Sequence, residues 1–112
     1  FAGWYSKNKK RHCKNVAIRR EQVLVINRQR ILDYLQTHPC VDCNETDVLV
    51  LQFDHNDPSS KQADISAMLR RGWKWETILR EIEKCDVRCA NCHARRTAHQ
   101  FGSWRLLYLQ NN

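Results

Sequence analysis

Two Cys-x-x-Cys pairs flank an Asp-His dipeptide in this chain, and a histidine follows the last cysteine. In chain order, the residues are Cys40, Cys43, Asp54, His55, Cys89, Cys92 and His93. Four thiolates suit the tetrahedral coordination of a structural zinc ion, and two close pairs favour zinc over disulfides. One carboxylate and one imidazole suit a second, harder divalent ion, with positions left for water and phosphate. The pattern predicts one metal that builds the fold and another that does chemistry.

The spacer between the two pairs, residues 44–88, is 45 residues long, which is longer than in common zinc ribbons. A zinc ion would pin the ends of this insertion, so we expect the insertion to carry the function. Cys85 is too far from either pair to complete the site, and we expect it to be buried. Cys13, beside His12, is interpreted as a free cysteine, with the remnant of a second metal site as the alternative.

The zinc would also decide which of the other residues meet. It would bring the strand after Cys43 close to a helix that begins at Cys92. His93 lies in the first turn of that helix, so it can face Asp54 across a small gap. His55, adjacent to Asp54 on a strand, should point to the other side and act as a general base rather than a ligand. By itself an Asp-His dipeptide is weak evidence, because a histidine at a strand end is usually structural.

The N-terminal third of the chain is basic and then helical in pattern. Residues 1–14 hold too few apolar side chains to fold alone and are predicted to be irregular. Residues 15–37 predict one long helix, with Leu24, Ile31 and Leu35 on a shared face. That face packs against the core or, as the alternative, forms a homodimer.

The remaining 75 residues predict a small strand and several short helices, so the fold class is α+β and mostly helical. The apolar, β-branched segment 48–53 predicts a strand that ends at the Asp-His dipeptide; a return strand is not evident and, if one exists, is short. Helices are predicted over 64–71, 75–84 and 90–99. The tail 101–112 is too apolar to stay free, so it should pack on the body or on a partner.

The charge of the chain favours a polyanionic partner. The formal net charge is +7, and a zinc ion with four thiolates would leave +5. A merely soluble basic surface is the alternative explanation. The candidate phosphate contacts are Lys61, Arg70, Arg71, Lys74, Arg95 and Arg96. Contacts of this kind fix position on DNA without reading its sequence.

The chain shows neither a signal-peptide pattern at its start nor an apolar run approaching the roughly 18 residues of a membrane helix. We therefore expect an intracellular protein without a membrane partner.

The segments CVDC, FDH and CANCH, in this order and spacing, resemble the HNH (ββα-metal, His-Me finger) endonucleases, in the branch that contains a structural zinc ion. The resemblance covers residues 38–100, between an N-terminal part (1–37) and the tail (101–112). It implies a ββα-metal core in which Asp54 and His93 hold the catalytic divalent ion. It also implies that His55 activates water and that the four paired cysteines hold zinc.

The activity implied by the resemblance is metal-dependent hydrolysis of phosphodiester bonds. Double-stranded DNA would be nicked or cut with limited sequence preference, leaving a 5′ phosphate and a 3′ hydroxyl. The catalytic ion would be Mg²⁺ or another divalent ion such as Mn²⁺ or Ni²⁺.

The chain departs from the family pattern in two places. Relatives often carry an asparagine shortly before the third cysteine, which helps hold the loop that bears the base; Lys84 and Cys85 occupy that neighbourhood here. Many relatives also carry a second histidine one helical turn after the first. This chain has Thr97 there, and His99 lies on a different face. We therefore expect two protein ligands and weak affinity for the catalytic ion.

Two other functions remain as alternatives. A non-catalytic zinc module that binds nucleic acid would explain the charge and the cysteines, but not the Asp-His dipeptide or His93. A structural zinc domain that binds proteins would use the long helix and the apolar tail as contacts. The second alternative predicts no salt-dependent affinity for DNA, whereas phosphate binding must weaken steeply with salt.

Overall fold

The computed structural model describes the backbone of residues 2–111 and the side chains of residues 14–111. It has the α+β, mostly helical fold expected from the sequence. The elements are α1 (Ala2–Gln36), β1 (Leu51–His55), a 3-10 turn (Pro58–Ser60), α2 (Ile65–Arg70), α3 (Trp75–Ile82), β2 (Cys85–Cys89), α4 (Ala90–Phe101) and α5 (Trp104–Asn111).

Helix α1 begins at Ala2, so the prediction that residues 1–14 are irregular is wrong. Their lysine, arginine and alanine residues are good helix formers, and a low apolar content does not by itself oppose a helix. The helix ends before Pro39, whose ring disfavours helical backbone at the preceding residue. There, His38 Nδ1 lies 2.7 Å from the Tyr34 carbonyl oxygen and can donate a hydrogen bond to it.

Among the side chains of α1 that the structure describes, those that pack on the rest of the fold lie in its C-terminal part. Leu35 is buried and Ile31 packs against the core, as their spacing predicted. Val25 and Leu32, which flank that face, are 59% and 41% exposed. A helix of this length spans about 52 Å at 1.5 Å per residue. The molecule therefore measures 78 × 29 × 22 Å rather than being spherical.

The sheet consists of β1 and β2, which pair antiparallel with Asp54 opposite Asp86. Strand β1 starts three residues later than the predicted segment 48–53, so the Asp-His dipeptide lies inside the strand. The Asp47 side chain accepts the backbone N–H of Leu49 and forms a turn there instead. Strand β2, CDVRC, has no apolar run, which is why its sequence did not predict a strand.

Two clusters of buried side chains form the core. One surrounds the cysteines and contains Leu35, Leu51 and Val87; the other joins α2 and α3 through Ile65, Met68, Ile78 and Ile82. Ile31, Tyr34 and Phe53 pack against both clusters and link them. The predicted helices over 64–71 and 75–84 are confirmed as α2 and α3, and their apolar faces form the second cluster.

The apolar tail forms helix α5, none of whose described residues is buried. Trp104, Tyr108 and Leu109 are 64%, 66% and 75% exposed. These side chains therefore do not pack closely on the body, which was one of the two expectations for the tail. Packing on a partner stays a prediction.

No helix in the part of the chain that the structure describes combines the length and the hydrophobicity needed to cross a membrane.

Replacing Ile78 by Ala tests the second core cluster. Ile78 is fully buried, so the cavity left behind should lower the free energy of unfolding by about 2–5 kcal/mol. Ile26→Ala is the matched control, because Ile26 is 51% exposed on α1 and the change should stay within about 0.5 kcal/mol. Urea denaturation with zinc present measures both. Equal losses in the two variants would contradict this assignment of the core.

Candidate functional site

The four paired cysteines converge on one point of the fold. The sulfur atoms of Cys40, Cys43, Cys89 and Cys92 all lie within 4.8 Å of one another. The Cys43 and Cys89 sulfurs are 3.7 Å apart, too far for a disulfide and close to the roughly 3.8 Å edge of a tetrahedron with Zn–S bonds of about 2.3 Å. Within the described residues, this is the one group of three or more potential metal ligands. The cluster can therefore hold a structural zinc ion, as its spacing predicted.

Backbone hydrogen bonds position the two cysteine turns. Val41 N–H donates to the Val87 carbonyl at 2.9 Å, which fastens the first turn to β2. Asn44 closes that turn with a positive φ of 64°, a left-handed conformation that asparagine tolerates. At the second turn, the Cys89 sulfur accepts the Cys92 N–H at 3.4 Å and caps helix α4. Each pair thus presents its sulfurs on the concave side of a tight turn.

The thiols of the cluster differ in acidity. Burial raises the pKa of the Cys40 thiol, but backbone N–H groups of neighbouring residues outweigh burial and lower that pKa to about 6. The hydrogen bond with Cys89, together with burial, raises the pKa of the Cys92 thiol to about 12. The Cys40 thiol is therefore the more acidic of the two. Because cysteine binds metal as the thiolate, metal binding should release protons.

Cys85 lies apart from the cluster. Its side chain is half-buried rather than fully buried as expected, and its sulfur donates to the Glu81 carbonyl at 3.4 Å. Burial, followed by the charge of Glu81, raises the pKa of the Cys85 thiol to about 11, so it is neutral at ordinary pH. The side chains of Cys13 and His12 lie outside the described residues.

Asp54 sits in a buried cluster of charges next to the cysteines. One carboxylate oxygen, Oδ2, accepts hydrogen bonds from Arg96 at 2.8 Å and from Arg88 at 3.0 Å. Arg88 also donates to Asp42, inside the first cysteine turn, and to Asp86. One arginine thus connects the cysteine cluster to the predicted catalytic carboxylate.

The other oxygen of Asp54 faces His93. Asp54 Oδ1 and His93 Nε2 are 3.7 Å apart, so the first turn of α4 does bring the two residues together. The His93 ring is held by Gln52, whose Oε1 accepts from Nδ1 at 2.6 Å. With Nδ1 donating to Gln52, a neutral ring carries its lone pair on Nε2, the nitrogen that lies 3.7 Å from Asp54. A metal-binding histidine usually has its second nitrogen fixed in this way.

His55 takes its partner from a different part of the fold. Its Nε2 donates to Glu81 Oε1 at 3.3 Å, and Glu81 lies on α3. Asp54 instead contacts α4 through Arg96, as expected from the alternation of side chains along a strand. Asp54 and His55, although adjacent in sequence, are therefore held by different helices.

Asp54, His55 and His93 nevertheless line one cleft of about 660 Å³. Lys61 and Arg96, two of the predicted phosphate contacts, line the same cleft. Apolar side chains of α1 and α2, together with Phe101, line the cleft as well. Such a combination is typical of ligand sites.

The six candidate phosphate contacts do not form one continuous group. Lys61 pairs with Asp64, and Arg96 pairs with Asp54. Arg70, Arg71 and Lys74 are exposed between α2 and α3, outside the residues that line the cleft. Arg95 is exposed on α4, with Nη1 4.0 Å from the Cys92 sulfur.

Three residues of this site had no signal in the sequence: Gln52, Glu81 and Arg88. Each acts through a side-chain hydrogen bond to a residue 26 to 41 positions away along the chain. A glutamine in a strand or a glutamate in a helix is ordinary, so only the alternation of β1 could have marked Gln52 as a neighbour of Asp54.

Compared with protein-family models, curated proteins and solved structures, the chain matches none of them. The described geometry shows a four-cysteine cluster that can bind zinc and is compatible with a fold held together by that metal. The resemblance to HNH endonucleases remains a prediction.

Replacing Cys92 by Ala tests the metal centre. The wild-type chain should retain one zinc ion after dialysis, and the variant should lose it and unfold at a lower temperature, since structural zinc binding contributes roughly 10–16 kcal/mol in small domains. Cys85→Ala is the matched control and should keep its zinc, because Cys85 lies outside the cluster. Elemental analysis and thermal melting measure both effects. Full zinc retention by Cys92→Ala would rule out the four-cysteine site.

Proposed function

We propose that the protein is a metal-dependent DNA endonuclease of the HNH type. The observation that carries the proposal is one cleft lined by Asp54, His55 and His93, in which both imidazoles are held by the hydrogen bonds that they donate to Glu81 and Gln52. Preorganised groups of this kind are what hydrolysis of a phosphodiester requires.

The donor atoms fit a divalent ion. Adjacent ligands of one octahedral Mg²⁺ or Mn²⁺ ion, each about 2.1 Å from it, lie roughly 3 Å apart, so the two side chains would move slightly closer together to share an ion. Asp54 Oδ1 and His93 Nε2 are 3.7 Å apart and face each other. The carboxylate suits Mg²⁺ or Mn²⁺ and the imidazole suits Ni²⁺, and two protein ligands leave positions for water and phosphate. When bound, the ion would neutralise charge that develops on the phosphate and the leaving oxygen.

His55 is proposed as the general base. Its Nε2–H is directed to Glu81, so Nδ1 carries the lone pair that can accept a proton from water. The water oxygen then forms a bond to phosphorus as the bond to the 3′ oxygen breaks. Glu81 would stabilise the positive charge that His55 gains on accepting the proton.

Arg96 and Lys61 are proposed to hold the substrate. A guanidinium has five N–H donors, so the bond from Arg96 to Asp54 leaves others for a phosphate oxygen. Arg70, Arg71 and Lys74, outside the cleft, would extend the electrostatic contact along double-stranded DNA without reading its sequence.

A non-catalytic zinc module that binds nucleic acid is the second candidate, and one observation favours it. Asp54 already has two arginine partners, so its negative charge is compensated without a metal ion. In that case Asp54 would serve to hold Arg88 and Arg96 in place, and His55 would have no chemical role.

Incubating supercoiled plasmid with the protein in EDTA, Mg²⁺, Mn²⁺ or Ni²⁺ tests the proposal. Cleavage should need a divalent ion, and His55→Ala should lower its rate roughly 100- to 10,000-fold, the usual contribution of a general base. His99→Ala is the matched control, because His99 lies on α4 but does not line the cleft. It should cleave at the wild-type rate.

The plasmid products distinguish nicking from double-strand cleavage, since open circles indicate nicking and linear DNA indicates cleavage of both strands. DNA binding that weakens steeply with salt, without cleavage in any ion, would establish the second candidate and overturn the first. Neither binding nor cleavage would favour a domain that binds other proteins.

Replacing Gln52 by Leu tests the proposed ion site. Without the hydrogen bond to Nδ1, the His93 ring loses its fixed orientation, and affinity for Mn²⁺ should fall roughly 10- to 100-fold. Gln100→Leu is the control, since Gln100 lines the same cleft from α4 and its expected effect is small. Titration of Mn²⁺ followed by electron paramagnetic resonance measures both affinities. Unchanged Mn²⁺ affinity in Gln52→Leu would count against His93 as a ligand.

A further inference from the structure

One charged side chain in the core has no role in the family pattern. Glu81 lies on α3 between Ile78 and Ile82, which are fully buried, and is itself only 1% exposed. Isolated carboxylates are rarely buried, because desolvation penalises the charged form. The position of Glu81 therefore calls for partners that compensate its charge.

Those partners come from three separate segments. Glu81 accepts the backbone N–H of Gln62 at 3.0 Å, the Lys84 ammonium at 3.2 Å and His55 Nε2 at 3.3 Å. Burial raises the pKa of the Glu81 carboxyl, but the hydrogen bonds from Gln62, Lys84 and His55 outweigh it, and the pKa lies below its usual value. Glu81 is therefore a carboxylate at neutral pH.

Lys84 completes the same network. Its ammonium donates to the Ser60 carbonyl at 2.9 Å, and its own carbonyl accepts the Asn56 N–H at 3.0 Å. Together with Glu81 and Gln62, these contacts fix the loop that follows β1 at its beginning, middle and end. Lys84 stands near the position where relatives of the HNH family carry the asparagine that holds this loop.

We propose that Glu81 is the positioning residue for the base His55, and that Glu81 and Lys84 together replace the missing asparagine. The inference rests on the proposed function and identifies how this chain supports its base. Glu81 fixes the proton of the neutral ring on Nε2, so Nδ1 is the nitrogen that accepts a proton from water. Removing the carboxylate leaves the ring free to rotate and to exchange tautomers.

A purely structural role for Glu81 would have different consequences. Its bonds to Gln62 and Lys84 also stabilise the loop, so loss of Glu81 could lower activity by loosening the cleft. In that case the loss would not depend on His55, and the tautomer of His55 would not change. The test therefore needs readouts that involve His55 itself.

The first readout is kinetic, with Glu81→Gln as the variant and Glu83→Gln, an exposed neighbour, as its control. At saturating Mg²⁺, Glu81→Gln should lower kcat for plasmid cleavage roughly 10- to 100-fold, less than loss of the base itself, with KM unchanged. In a His55→Ala background the same change should cause no further loss, because the two residues act as one unit.

The second readout is the tautomer of His55, measured by ¹⁵N NMR at pH 8 in the wild-type chain, with His55→Ala used to assign the signals. The wild-type measurement does not require DNA cleavage, and it does not depend on whether Glu81→Gln folds. We expect the Nε2-protonated tautomer in the wild type and a mixture of tautomers in Glu81→Gln. Thermal melting of both variants shows whether they remain folded.

The outcomes separate this inference from the proposed function. An Nδ1-protonated ring in an active wild type, or an equal loss of rate with and without His55, would overturn the positioning role while the nuclease stands. A wild type that cleaves no DNA overturns the proposed function and, with it, the role of Glu81 in positioning a catalytic base. If Glu81→Gln does not fold, the wild-type tautomer decides the question.

Discussion

The convergence of four cysteines is the constraint on which the rest of the structure depends. It joins two turns separated by 45 residues, and a metal bound there would close that long loop, which an unfolded chain closes only at an entropic cost. The first turn is fastened to β2 through Val41, and Cys89 caps α4. The cysteine cluster thus lies where β2 ends and where α4, the helix that carries His93, begins.

The ion network of Arg88 and the alternation of side chains along β1 connect the cysteine cluster to the cleft. Arg88, next to Cys89, donates hydrogen bonds to Asp42 in the first cysteine turn and to Asp54 in β1, so one ion network connects the cysteine cluster to the cleft. Alternation along β1 then gives Asp54 and His55 partners on different helices. The proposed metal ligands and the proposed base can therefore be oriented independently while lining one cavity.

Much of the fold and of the cysteine cluster could be predicted because local signals agree with the final structure. Helical periodicity indicated α2, α3 and α4, and the paired spacing of the cysteines leaves few alternatives to a common site. Local signals failed where tertiary contacts determine the backbone. Strand β2 carries polar side chains at positions where strand prediction relies on apolar ones. Residues 48–50 form a turn with Asp47 instead of extending β1. The apolar content of the tail likewise did not specify which surface covers it, because that depends on tertiary or partner contacts.

The sequence by itself determined the types and spacing of the chemical groups: four thiols in two pairs, an Asp-His dipeptide and a histidine after the last cysteine. It also determined a mostly helical α+β chain with a basic surface. Only the tertiary structure decided that Asp54 has two arginine partners and that Gln52 and Glu81 hold the two imidazoles. The physical reason is that hydrogen bonds between residues so far apart along the chain depend on how strands and helices pack, which short-range patterns do not specify.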